Sequence, residues 1–202
     1  MKKLLILVIA LLLVSPALVS ANMLVNPGFE ETGENGHTTG WYADYNANIF
    51  GVMDNPRSGA WAATCYNDGG MAQDVVVTPD MTYNLTGYAY VPIGDGGSPW
   101  GTYIGVKFKR ANGSTTASWE KSDFADETRD QFNLADSGLI VAPSDAVSAS
   151  IRFGTWASDP WEPVNPTDFD DFSFEAVPEP SSLMLLLTGI TGIFGLGLKR
   201  KK

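Results

Sequence analysis

Between Asn22 and Ala176 apolar side chains recur at every second position in short runs, and no run of useful length follows the 3.6-residue period of a helix. The longest run is Met81 to Val91. Met81, Tyr83, Leu85, Ala89 and Val91 fall on one side, and Thr82, Asn84, Thr86, Tyr88 and Tyr90 on the other. Tyr103 to Arg110 repeats the pattern, with Ile104, Val106 and Phe108 set against Tyr103, Lys107 and Lys109. Val147, Ala149, Ile151 and Phe153 likewise alternate with Ser148, Ser150 and Arg152. A period of two gives each strand one buried face and one wet face. Further strands are predicted at Met23 to Val25, Ile49 to Met53, Met71 to Val77 and Phe169 to Glu175, with shorter pieces at Leu139 to Ala142 and near Trp119. Clusters of Gly, Asn, Asp and Pro separate these runs, with two long loops at Pro92 to Gly101 and Thr155 to Thr167, and a charged stretch, Asp123 to Gln131, with room for a helical turn. The pattern predicts an all-β, two-sheet antiparallel sandwich in one domain, residues 22–176.

The two ends follow other rules. Lys2 and Lys3, the apolar stretch Leu4 to Val14 and the small residues Val19-Ser20-Ala21 have the order of a secretory signal peptide, which predicts cleavage after Ala21. At the other end Leu183 to Leu198 carries no charge and is followed by Lys199-Arg200-Lys201-Lys202. The run is shorter than the ~20 residues that cross a bilayer comfortably. Snorkelling of the terminal cations and local thinning make up the difference, so a single transmembrane helix with a cytoplasmic basic end is predicted. Pro178-Glu179-Pro180 precedes it, and two prolines keep that segment extended.

The motif, the apolar run and the basic tail, residues 177–202, together resemble the bacterial PEP-CTERM sorting signal. The resemblance implies an exosortase-type enzyme that recognises Pro178, Glu179 and Pro180 and removes the tail. It also implies an inner-membrane-anchored precursor that becomes a cell-surface or matrix protein, with residues 183–198 in the membrane only transiently.

With both ends set aside, the domain holds 7 basic and 22 acidic residues, a net charge of −15. Such a balance disfavours nucleic acid and anionic lipid and suits divalent cations or neutral glycans. Cys65 is the only cysteine, so no internal disulfide forms, and its strand-like setting reads as a small buried side chain.

Asn26-Pro27-Gly28-Phe29-Glu30, Gly40-Trp41, Ser58-Gly59-Ala60-Trp61, Gln73-Asp74-Val75 and Phe169-Asp170-Asp171-Phe172-Ser173-Phe174 occur in an order that resembles the galactose-binding-like jelly rolls used as carbohydrate-binding modules. That resemblance implies a jelly-roll fold in which the first and last strands lie together, often around a structural calcium. Carried over, Glu30 and Asp170 supply carboxylates, Gly28 a carbonyl, and the turn Pro56 to Gly59 another. A hard cation needs several such oxygens. Alternation places Asp170 inward with Phe172 and Phe174, and Asp171 in solvent. The alternative is that Glu30 and Asp170 are ordinary hydrogen-bonded acids.

The wet face predicted for the long strands carries Tyr88, Tyr90, Tyr103, Lys107, Ser148, Ser150 and Arg152, and Trp100, Trp156 and Trp161 lie in the two loops. Rings beside hydrogen-bonding groups suit a polysaccharide. The alternative gives these rings cross-strand and end-packing roles, and Trp41 and Trp61 are assigned to the core. The single histidine, His37, has no Gly-x-Ser-x-Gly companion, and one His and one Cys cannot build a zinc site. The expectation is an exported, non-catalytic glycan-binding protein, with a purely structural or adhesive surface protein as the alternative.

Overall fold

The computed structural model describes residues 21–31, 38–45, 50–53, 55–65, 69–92, 101–122, 124, 129–156 and 166–178. The signal peptide, the apolar run 183–198, Glu179, Pro180, His37, Trp100 and Trp161 lie outside them. Residues Asn22–Ala176 form one compact unit. Among the described residues no helix is long and apolar enough to cross a membrane.

The alternating runs become β1 (Tyr42–Tyr45), β2 (Phe50–Met53), β3 (Ala62–Cys65), β4 (Gly69–Val76), β5 (Thr82–Tyr90), β6 (Tyr103–Lys109), β7 (Thr115–Lys121), β8 (Phe132–Asp136), β9 (Ile140–Val141), β10 (Ser148–Thr155) and β11 (Thr167–Ala176). They build two antiparallel sheets, consistent with a jelly-roll sandwich. One has the order β1-β4-β10-β6-β7 and the other β2-β3-β11-β5-β8, with β9 also on β5.

Core residues come from the inward set of each strand. Ile104, Val106, Phe108, Ala149, Ile151 and Phe153 of the first sheet meet Tyr83, Leu85, Ala89, Phe169, Phe172 and Phe174 of the second. At one side Phe153 packs edge-on or tilted against Phe29, Trp41, Phe169 and Phe172, with centroids 4.7–5.5 Å away. Tyr83 stacks flat on Phe174 at 5.0 Å and its hydroxyl accepts from the Thr78 amide, which lets a phenol lie in the core. Cys65 is fully buried, and desolvation pushes its thiol far up, so it behaves as the small apolar side chain its strand calls for.

Four expectations change. Met23 to Val25 forms no strand; Asn22 and Met23 instead dock on the last strand. The Met23 amide donates to the Phe174 carbonyl (2.9 Å), while the Asn22 side chain donates to the Phe172 carbonyl and accepts from the Phe174 amide. Trp61 is 39% exposed and stands outside the core, unlike Trp41, which is 6% exposed. Strand pairing sets Asp170 opposite Tyr88 on the outer side, because a register shift between Asp170 and Ser173, with Asp171 at φ 50°, breaks the alternation before Phe172 turns inward. Finally, the set read as one wet face is divided. Tyr88 and Tyr90 belong to β5 in the second sheet, and Tyr103, Lys107, Ser148, Ser150 and Arg152 to the first.

Candidate functional site

On the outer face of the first sheet, β10 is the central strand, and register fixes its neighbours. Arg152 lies between Ala72 and Gly105, Ser150 between Asp74 and Lys107, and Gly154 between Gly70 and Tyr103. Small residues beside Arg152 leave its guanidinium room to lie along the sheet. Its Nε donates to Asp44 Oδ2 at 2.7 Å and a terminal nitrogen reaches the same oxygen. Its Cζ also lies 5.6 Å from the centroid of the Tyr103 ring. Both members of the ion pair are mostly buried, with side chains 14% and 22% exposed.

Strand β1 supplies one wall. A register shift between Ala43 and Tyr45 lets neighbouring residues reach β10 together. Asp44 meets Arg152, and the Tyr45 hydroxyl donates to the Thr155 carbonyl at 2.7 Å. The Tyr42 hydroxyl lies 3.4 Å from Ser150 Oγ, and its ring is 43% exposed. Asp74 adds a second charge network with Lys109 at 3.1 Å. Desolvation pushes the Asp74 carboxyl up, but hydrogen bonds from Ser150, Lys109 and Tyr42 outweigh it and hold the group below the usual carboxylate range. At the far end of β10 the Trp156 amide donates to Gly101 O (3.1 Å) and its ring, 45% exposed, lies where a side chain on Gly101 would be. Gly101 has φ 95°, so both the turn and the ring require a glycine.

Six of the eight residues expected to bind therefore have settled places. Tyr103, Lys107, Arg152 and Trp156 share this face with Ser150, although Tyr103 is only 3% exposed and acts as floor. Burial pushes the Tyr103 phenol up, against the influence of the nearby Tyr45 hydroxyl and the charge of Arg152. Tyr88 is on the other sheet with the Arg57 guanidinium 3.6 Å above its ring, and Tyr90 packs on Phe132 at 5.4 Å. Sequence reasoning missed Tyr42, Asp44, Tyr45 and Asp74. The cue was the aromatic spacing of Trp41, Tyr42 and Tyr45, where one buried tryptophan precedes two partly exposed tyrosines.

The predicted metal residues gather elsewhere, around the turn 57–61 on the outer side of the second sheet. Asp170 Oδ2 accepts from the Arg57 and Ser58 amides (2.9 and 3.1 Å), and Oδ1 from the Asp171 amide (2.7 Å). Glu30 accepts from the Ala60 and Trp61 amides, its carboxylate filling the space a side chain on Gly59 would need. Asp171, expected in solvent, instead pairs with Arg57 Nη1 (2.6 Å) and Ser58 Oγ (2.7 Å). The arrangement ties residue 30, the 57–61 turn and the last strand together. Desolvation raises the Asp170 carboxyl to about 6, helped by the charge of Asp171 and opposed by the amides of Ser58, Asp171 and Arg57.

That shift gives a signed prediction. Between pH ~4 and ~6 the unfolded chain ionises this group while the folded chain still holds its proton, so stability falls as pH rises through that window, by about 3 kcal/mol. Asp170→Asn should remove this component. The difference between native and variant denaturation midpoints across pH 4–6 measures it, and parallel curves would refute it.

Comparison with known proteins adds two findings. Residues 176–201 match the family model described as the PEP-CTERM protein-sorting motif, which marks an exported, membrane-anchored precursor. No curated protein sequence matches the chain. The fold is similar to solved carbohydrate-binding modules. These include the xylan-binding CBM22-1 domain of Paenibacillus barcinonensis Xyn10C (TM-score 0.51, 16% identity, 79% of this chain and 97% of that one). Another is TmCBM61, solved with β-1,4-galactotriose (TM-score 0.51, 18% identity, 78% and 100%). It is also similar to the enzymatically active domain of bacteriophage CBA120 tailspike protein 4 (TM-score 0.56, 13% identity); there the match covers 77% of this chain but only 21% of the tailspike. At these identities the likeness is one of fold.

Proposed function

We propose that this protein is an exported, non-catalytic glycan-binding protein that holds a polysaccharide on the outer face of its first sheet. The observation that carries the reading is the grouping of Tyr42, Ser150, Arg152, Lys107 and Trp156 on that one face, with two half-exposed aromatic residues flanking polar groups of which Ser150 and Arg152 are already fixed by their own partners. Rings offer flat apolar surfaces to the CH faces of sugars, and pre-ordered polar groups bind hydroxyls with little loss of freedom. The sorting motif supports an exported location. An exosortase-type enzyme would act at Pro178-Glu179-Pro180, and the mature protein, without Leu183 to Lys202, would stay at the cell surface or in the polysaccharide matrix.

The test is affinity electrophoresis of the full-length chain in mild detergent through gels containing plant or bacterial polysaccharides. Retardation is expected for the native chain. Tyr42→Ala and Trp156→Ala should each weaken it about tenfold or more, as stacking contacts typically do. Retardation unchanged in both variants would overturn the placement.

A structural calcium ion is a second part of the proposal. Asp170, Glu30 and the Gly28 carbonyl would hold it, and it would supply positive charge that keeps Asp170 ionised. The donors suit a hard cation in kind, and Gly28 lies against both Asp170 and Asp171. Among the described residues no three acidic, His or Cys side chains form a metal cluster, so main-chain and solvent oxygens would complete the shell. Calcium should then raise the unfolding temperature and flatten the pH 4–6 slope. Equal temperatures with calcium and with chelator would exclude it.

A further inference from the structure

The domain has seven basic residues, and three of them, Lys107, Lys109 and Arg152, stand on the face described above. Two are already spoken for, since Arg152 is paired with Asp44 and Lys109 with Asp74. Lys107 has no ion-pair or hydrogen-bond partner among the described residues. It lies on β6, between the central strand and the edge strand, half-buried between Ser150 of β10 and Ser118 of β7. Among the described residues the remaining carboxylate on this face, Glu120, stands at the edge strand, opposite Gly105 rather than Lys107. The described part of the face thus sets three cations against Asp44, Asp74 and Glu120, in a domain whose net charge is −15.

We infer that the polysaccharide held on this face carries carboxylates, and that Lys107 receives one of them; the inference rests on the glycan reading above. Charges more than a Debye length away, about 8 Å at physiological ionic strength, are largely screened, so the local balance governs contact more than the total. An acidic chain meets like charge over most of the domain, whereas this face offers it an unpaired cation; Arg129, the other basic residue without a partner among the described residues, stands before β8 of the second sheet. The local contact thus sets the register, because only a placement that brings a carboxylate to Lys107 is favourable. Ser118, exposed on β7 beside Lys107, offers a hydroxyl to the same group or to the sugar next to it, while Ser150 on the other side is buried and keeps its hydroxyl for Tyr42. Gly105 and Ala72, beside Arg152, leave the sheet shallow where the next ring would lie. A neutral glycan would leave the Lys107 ammonium half-buried with no anion, at a cost in desolvation.

The experiment compares polygalacturonate with its fully methyl-esterified form, which has the same backbone with its carboxylates masked. It uses the full-length chain in mild detergent and its Lys107→Met and Lys107→Arg variants, each first checked by thermal unfolding. Native protein should bind polygalacturonate at least about tenfold more tightly than the ester, as expected for one charge-assisted hydrogen bond. Raising sodium chloride from 50 to 500 mM should erase most of that advantage. Lys107→Met should lose the preference, and Lys107→Arg should keep it. Equal binding of the two polymers, preference for the ester, or an unchanged preference in Lys107→Met would overturn the inference while leaving a glycan-binding face in place. Binding of neither polymer, nor of any neutral polysaccharide, would overturn it together with the reading on which it rests.

Discussion

Replacing Phe153 with alanine is expected to lower stability by about 3–5 kcal/mol, the range for loss of a fully buried aromatic ring. The ring is completely buried and touches four others, Phe29, Trp41, Phe169 and Phe172. These partners come from different places: Phe29 and Trp41 from the segment before β1, Phe169 and Phe172 from β11 of the opposite sheet. No single side chain can follow the missing ring inward, because each is fixed by a separate backbone. Phe29 is already at φ 58°, a conformation a bulky residue adopts only under constraint. The cavity should therefore stay largely open and the cost lie near the upper bound. Set against a typical domain stability of about 5–15 kcal/mol, the loss would bring the chain close to unfolding at room temperature. Urea denaturation measures it, and Phe153→Leu, which keeps most of the volume, should cost much less. A loss below about 1.5 kcal/mol for alanine would show that the two sheets move together more freely than their packing implies.

Arg152→Ala should have the largest effect on the proposed site, removing glycan retention and costing about 3 kcal/mol of stability as well. The stability cost arises because Asp44 would keep its charge in a mostly buried position without its cation. Tyr103 would lose the guanidinium beside its ring. Arg152→Lys would restore charge but not the paired donation to Asp44 Oδ2, and should recover only part of either property. Asp44→Asn combined with Arg152→Ala separates the two effects. Stability should return in large part, since no uncompensated charge remains, while binding should not. Full stability of Arg152→Ala alone would mean that solvent reaches Asp44 freely.

The alternation of Met81 to Val91 and of Tyr103 to Arg110 predicts strands whose inward residues are those of the core, because a side-chain period of two survives wherever one face is buried. The strand β1 was less legible, being four residues long and interrupted by a register shift, and with it went Tyr42 and Asp44. β8 went unseen for a related reason, as its Leu134 is 45% exposed and its Asn133 buried, which inverts the usual pattern. At Asp170 the fault lies in assuming that alternation runs unbroken, and one positive φ at Asp171 reverses the direction of the side chain. The division of the wet residues between two sheets is a matter of long-range pairing. Local pattern gives the faces of a strand but not the sheet it joins, and so could not part Tyr88 from Arg152.

The last strand, β11, is also an interior one, lying between β3 and β5 and bonded through Phe172 and Phe174 to Asn22 and Met23 at the other end of the domain. A ribosome makes β11 after every other strand. Until it arrives, β3 and β5 have open edges, Asn22 has nothing to bond, and Phe153 lacks two of its four rings. Most of the domain's contacts join residues far apart in sequence, the kind of topology that folds late and slowly. The strand that closes this sheet is followed directly by the sorting motif, which begins at residue 176, where β11 ends. A copy cut short before β11 would lack both the closing strand and the motif.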